Sequence, residues 1–112
     1  YVFNDIEKQI ENFTKKNNRI PLVSFLGLSY KANSKDIRGA PAIKIIKKIY
    51  KKFTNFYLVD PLVSKVLGIE TKEISYALKK SDIIFILVNH KQFEGIISKS
   101  NNNRYIIDYT NN

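Results

Sequence analysis

The 112-residue chain has no cysteine, no methionine and no tryptophan. Without cysteine there is no disulfide, no thiolate metal site and no cysteine nucleophile within these residues. No apolar run approaches the roughly 18 to 20 residues that cross a bilayer. The first residues, YVFNDIEKQIENF, are amphipathic and acidic and do not read as a secretory signal. The missing initiator methionine suggests a piece of a longer protein, and a cytoplasmic setting is expected. Only four glycines are present, and none forms G-x-G-x-x-G or a Walker A loop, so the two commonest phosphate-cradling turns are excluded. Arginine is scarce as well, limited to Arg19, Arg38 and Arg104.

What is there suits one α/β domain. Hydrophobic residues make up 44% and aromatics 12%, more than disordered chains carry and enough for a single core. The net charge of +9 invites a nucleic-acid reading. However, the positive residues are mostly lysine, and isoleucine and asparagine are abundant beside it. All three have AT-rich codons, so codon bias explains much of the charge without any ligand.

Val2, Phe3, Ile6, Ile10 and Phe13 recur at helical spacing and predict a helix over about 2–16, ended by KKNNR. IPLVSFLGL predicts a buried strand closing at Gly27. A second helix opens at Pro41, where a missing N–H costs nothing. Its apolar stripe is Ala42, Ile45, Ile46, Ile49, Tyr50 and Phe53. Lys44, Lys47, Lys48, Lys51 and Lys52 fill the other face, a solvated helix surface unless something further marks it as a binding one. NFYLVD predicts a second strand, ended by Asp60-Pro61. A loop of roughly ten residues then leads to a helix near KEISYALKKS. DIIFILV is apolar nearly throughout, as in a sheet covered on both faces. HKQFEGIISKS predicts a short helix and RYIIDY a fourth strand.

Strands alternating with helices imply a doubly wound parallel sheet in three layers, strand order about 2-1-3-4, after an N-terminal helix. In such sheets ligands gather at the carboxyl ends of the strands, where the strand order reverses. That places the chemistry between Gly27–Lys31, after the first strand, and Asn89–His90, after the third.

The turn after the first strand, GLSYKANSKDIRGAP, is long and charged. Asp60 ends strand two where a ribose-binding acid belongs, but without the glycines it reads as a turn former before proline. No acidic pair follows strand one, so a phospho-acceptor domain is not indicated. Lys31 and Arg38 remain: a mobile point charge and a planar fork, both suited to phosphate or carboxylate. The plainer alternative is a solvated loop with an Asp36–Arg38 surface pair of little energetic value.

FLGLSYKANSKDIRGAPAIKII resembles the start of the C-terminal domain of the UDP-glucose/GDP-mannose dehydrogenase family, which reads Gly-Leu-(Ala/Ser)-(Phe/Tyr)-Lys, then Asp-x-Arg, a small residue and Pro. VDP at 59–61, SDIIFILVNHKQF at 81–93 and YIIDYTNN at the end extend the likeness over about residues 20–110. The resemblance implies a Rossmann-like fold and an oxidoreductase that converts C6 of a nucleotide sugar to a carboxylate with NAD. Residues 1–18 would be a linker helix from a central dimerisation domain and 19–112 the nucleotide-sugar-binding domain. NAD would sit mainly in an N-terminal domain, and the catalytic cysteine would lie upstream, leaving no catalytic residue and no metal ligand here. A homodimer making surface polysaccharide or capsule precursors is implied, with no membrane and no nucleic acid as partner. By position, Tyr30 and Lys31 resemble residues lining the substrate site and Arg38 the arginine that reaches NAD. His90 stands at the end of strand three as a further substrate-site candidate. The family's terminal Asp-x-Arg is Asp108-Tyr109-Thr110 here, leaving Arg104 as the candidate replacement. VNH at 88–90 resembles members acting on UDP-N-acetylhexosamines.

Overall fold

The computed structural model describes residues 1–95 and 105–110. Helix α1, Val2–Asn17, stops where Asn18 takes the left-handed conformation (φ 53°) and returns its N–H to the Thr14 carbonyl, as asparagine tolerates. Strand β1, Val23–Leu26, leads through the long turn to α2, Pro41–Tyr50, with Pro41 in its first turn. Then come β2, Phe56–Val59; β3, Lys65–Val66; β4, Ile69–Glu70; α3, Ile74–Lys80; and β5, Ile83–Ile86. A 3₁₀ turn at Lys91–Phe93 and β6, Tyr105–Asp108, complete the described elements. Arg104 and residues 96–100 of the expected 90–100 helix lie outside the described residues.

The main sheet runs β2-β1-β5-β6 with every pair parallel, which is the expected 2-1-3-4 order. Side chains alternate between its faces, as strand geometry requires. Val23, Phe25, Phe56, Leu58, Ile83 and Phe85 face α1 and α2 and join Ile6, Phe13, Ile46 and Ile49. Leu26, Val59, Ile84 and Ile86 face the other way, onto Ala77 and Leu78 of α3 and Phe93. Full burial of each large apolar side chain stabilises by about 1.5–3 kcal/mol, so both covering layers are needed. Ser24 is the polar exception within β1; its hydroxyl is buried but pairs with that of Ser81 at 2.5 Å.

Two features depart from expectation. The stretch read as a ten-residue loop contains a β3–β4 hairpin, turned at Leu67 and Gly68, both with positive φ. Two-residue strands are too short to show alternation, and leucine is not a usual left-handed turn residue. The lysine face of α2 is also partly engaged: Lys52 pairs with Glu7 of α1 at 3.0 Å, and Lys48 and Lys52 lie over the Phe3 ring. Part of that charge therefore fastens α1 to α2.

Candidate functional site

The carboxyl ends of β2, β1 and β5 meet around Asp60. Its side chain is wholly buried, and both oxygens are used. Oδ1 accepts the N–H groups of Leu62 (2.8 Å) and Val63 (3.1 Å), forming the expected turn. Oδ2 accepts Leu28 N–H at 2.8 Å and lies 3.3 Å from His90 Nε2. One carboxylate thus ties together the chain segments leaving three adjacent strands. A carboxylate offers about four acceptor positions; three backbone N–H groups use them here, with His90 Nε2 beside Oδ2, and the side chain is buried away from any ribose hydroxyl.

Gly27 closes the same region from above. Its φ is +90°, and a Cβ there would lie 1.9 Å from the Val88 carbonyl oxygen. The β1 and β5 exits therefore touch backbone to backbone at the point where strand order reverses. At this point the crevice is filled by the protein's own backbone. The residues present do not fit NAD in that manner, in agreement with the missing glycine fingerprint.

His90 is fully buried. Its Nδ1 accepts the Asn33 N–H at 3.1 Å, while Nε2 faces Asp60 Oδ2 and Ser29 Oγ, each at 3.3 Å. Serine, histidine and aspartate are thus together, but the order is wrong for nucleophilic catalysis. A hydrolytic triad needs serine and aspartate on opposite ring nitrogens; here both lie on Nε2, and the Ser29 hydroxyl donates to the Lys31 carbonyl at 2.7 Å. The cluster is a support.

Above this support the turn is open. Tyr30 is 58% exposed, and Lys31, Lys35 and Arg38 also face solvent. Arg38 chelates Asp36 through Nε and Nη2 at 3.0 and 3.1 Å, and its own N–H donates to the same carboxylate. These hydrogen bonds hold the Asp36 carboxyl below its usual range and push the guanidinium up. A cleft of about 460 Å³ opens beside the end of β2, between the hairpin, α3 and the 3₁₀ turn, with Leu62, Ile74 and Phe93 in its walls. Among the sequence candidates, Tyr30, Lys31 and Arg38 share one exposed loop, and His90 lies beneath it, reaching the surface only through Ser29, Lys31 and Asn33. Asp60, Ser29 and Asn33 were not singled out as site residues. The available signal was a lone histidine after one strand and an Asp-Pro after another, in a sheet whose order makes them neighbours.

Residues 24–112 match the UDP binding domain of the UDP-glucose/GDP-mannose dehydrogenase family. The chain belongs to that family. It is 31% identical, over 96% of its length, to an NDP-N-acetyl-D-galactosaminuronic acid dehydrogenase of Ralstonia nicotianae. It is 30% identical, over 77%, to the UDP-N-acetyl-D-mannosamine dehydrogenase of Escherichia coli K12. Among solved structures, the UDP-N-acetyl-mannosamine dehydrogenase from S. aureus superposes with a TM-score of 0.75 at 25% identity, covering 99% of this chain and 26% of that one. The chain covers 26% of the Ralstonia protein and 22% of the Escherichia coli one, so it spans about a quarter of these relatives. The relatives are nucleotide-sugar oxidoreductases, as the turn's motif implied, and nothing in these matches favours the nucleic-acid alternative. Among the described residues no helix is long and apolar enough to cross a membrane.

Proposed function

We propose that this chain grips the nucleotide end of a UDP-N-acetylhexosamine within a cytoplasmic NAD-dependent 6-dehydrogenase that supplies uronic acids for surface polysaccharide. The carrying observation is the family's charged turn, presented open above a filled and hydrogen-bonded support. Lys31 supplies a mobile ammonium to the diphosphate, and Tyr30 a flat amphipathic wall beside it. Arg38 supplies a guanidinium able to leave its solvated partner Asp36 for a bound anion; its assigned target is NAD held by an N-terminal domain of the same protein, and NAD when bound accepts the hydride from C6. Arg104 is the remaining substrate-contact candidate. Residues 1–18 would join this domain to a central domain through which two chains pair.

The test is calorimetric titration of the 112-residue chain with UDP and UDP-N-acetylhexosamines, and with a DNA or RNA oligonucleotide, across a salt series. Saturable UDP binding with weak salt dependence is expected. Phosphate-driven oligonucleotide binding would instead fall steeply with salt, and finding only that behaviour would remove the proposal. With no dinucleotide turn and no thiol, the chain alone should generate no NADH from any UDP-sugar.

A further inference from the structure

We propose that His90 is a positioning residue: held in one tautomer by Asp60, its imidazole fixes the backbone on both sides of Lys31. This rests on the reading of Lys31 as a nucleotide-sugar contact.

The hydrogen bonds determine the tautomer. The Asn33 N–H can only donate, so Nδ1, 3.1 Å away, carries no proton. The proton is on Nε2, facing two acceptors, Asp60 Oδ2 and Ser29 Oγ. Ser29 is free to accept because its own proton goes to the Lys31 carbonyl. Asp60 is in turn anchored by three backbone N–H groups, so the ring cannot turn over without breaking the hub. Phe93 stands edge-on to it at 5.4 Å between centroids.

Two strands of connection leave this ring. One runs from Nε2 through Ser29 to the carbonyl of Lys31. The other runs from Nδ1 to the backbone of Asn33, whose side-chain oxygen accepts the Lys91 N–H at 3.1 Å and closes a reciprocal clasp. Asn33 sits at φ 57°, the left-handed region that asparagine visits more readily than most residues. Residues 29 and 33 are thus both tied to one imidazole, with Lys31 midway between them. The turn has no sheet or helix partner of its own over 29–38. Each residue left unheld there would have to be ordered at the moment of binding, and preorganisation removes that cost. The charge assigned to the ligand is exposed, while the imidazole that holds its backbone is buried and lies far off in sequence.

The experiment uses the isotope-labelled 112-residue chain with UDP as the probe. Without ligand, the imidazole ¹⁵N shifts of His90 should report an unprotonated Nδ1 and a protonated Nε2; the opposite tautomer overturns the inference. Asparagine carries its amide oxygen on the same γ carbon that bears Nδ1, so His90→Asn keeps the acceptor for Asn33, and His90→Phe removes it. UDP affinity should fall about threefold in His90→Asn, which loses the arm through Nε2 and Ser29, and about tenfold in His90→Phe, which loses both arms. Equal losses in both would mean that the Nδ1 arm to Asn33 holds nothing, and the inference falls. Because His90→Phe can unfold the hub, Asn33→Gly gives a second reading. It keeps the N–H on Nδ1 and tolerates the positive φ, loses the clasp to Lys91 and frees the backbone, and should weaken UDP binding about threefold with native circular dichroism; unchanged affinity counts against the inference. Failure of the unaltered chain to bind UDP would overturn the functional reading separately. The hold itself would still be decided by amide exchange at Asn33 and Lys91, faster in His90→Phe if the inference is right and unchanged if it is wrong.

Discussion

The support beneath the charged turn and the turn itself both rest on polar side chains, used in opposite ways. Below, Asp60, His90 and Ser29 are buried and engage one another and the surrounding backbone, and no buried side-chain polar atom among the described residues lacks a partner. Above, Tyr30, Lys31, Lys35 and Arg38 are exposed, and the only ion pair recorded there is the solvated one between Arg38 and Asp36. Buried polar groups left unpaired cost far more than exposed ones. Mutations in the support should therefore act first on stability, and mutations of the exposed turn charges on binding alone.

The sharpest form of that division compares two glycines with positive φ. Gly27 lies in the support, where an added methyl would overlap the Val88 carbonyl; Gly39 (φ +66°) lies at the end of the turn, with nothing within 4 Å. Gly27→Ala should cost on the order of 4 kcal/mol, combining backbone strain with a clash that no side-chain movement relieves. Gly39→Ala should cost about 1–2 kcal/mol, from the left-handed backbone alone. Urea unfolding followed by circular dichroism measures both. Similar losses would mean that the β1 and β5 exits separate easily, and the filled crevice would lose its rigidity.

Two aspartates give the next contrast. Asp60→Asn leaves one acceptor oxygen and turns an NH₂ group toward backbone donors, which should cost about 2–3 kcal/mol of unfolding free energy. Asp36→Asn, at the rim, should leave the urea midpoint unchanged. If the order were reversed, Asp60 would be only a turn former, as its place before Pro61 suggests.

For binding the direction inverts, and two lysines of the turn test it. Lys31→Ala should reduce affinity for a UDP-sugar about tenfold to hundredfold, as expected for loss of a charged hydrogen-bond donor. Lys35→Ala removes the same charge from the same loop and should change affinity less than about twofold, because a solvated lysine contributes little. Neither should move the unfolding midpoint. Equal binding losses would reduce the turn to a diffuse positive field.

The fold was legible because it rests on long-range periodicity. The unbroken apolar run of DIIFILV, the helical stripe after Pro41 and the strand–helix order together dictate a parallel sheet covered on both faces. The exposed turn was legible as a candidate site, since Lys31 and Arg38 stand in a motif with fixed spacing. The buried half was not. Asp60 and His90 lie thirty residues apart and carry no local pattern linking them; only the reversal of strand order brings β2, β1 and β5 side by side and makes them neighbours of Ser29. The β3–β4 hairpin escaped for a different reason, since its positive-φ turn begins with Leu67 where asparagine or aspartate is usual.

The smallest expected effect comes from acid titration at the rim. The Arg38 hydrogen bonds hold the Asp36 carboxyl below its ordinary value of 3.8. A carboxyl depressed on folding contributes stability above its unfolded value, and that contribution disappears as the pH falls through the lower folded one. The unaltered chain should therefore keep this small increment from neutrality down to about pH 4 and lose it below, whereas Arg38→Ala should lack it throughout, so that the two chains differ slightly near neutrality and converge in acid. Because the Arg38 side chain is 90% exposed, solvent and salt screen the pair. The difference between the two chains should shrink further on adding salt. A large, salt-resistant change in the acid unfolding midpoint on replacing Arg38 would show that the pair is part of the support. It would then not be free to exchange Asp36 for a bound anion, and the role proposed for Arg38 would have to be given up while that of Lys31 stood.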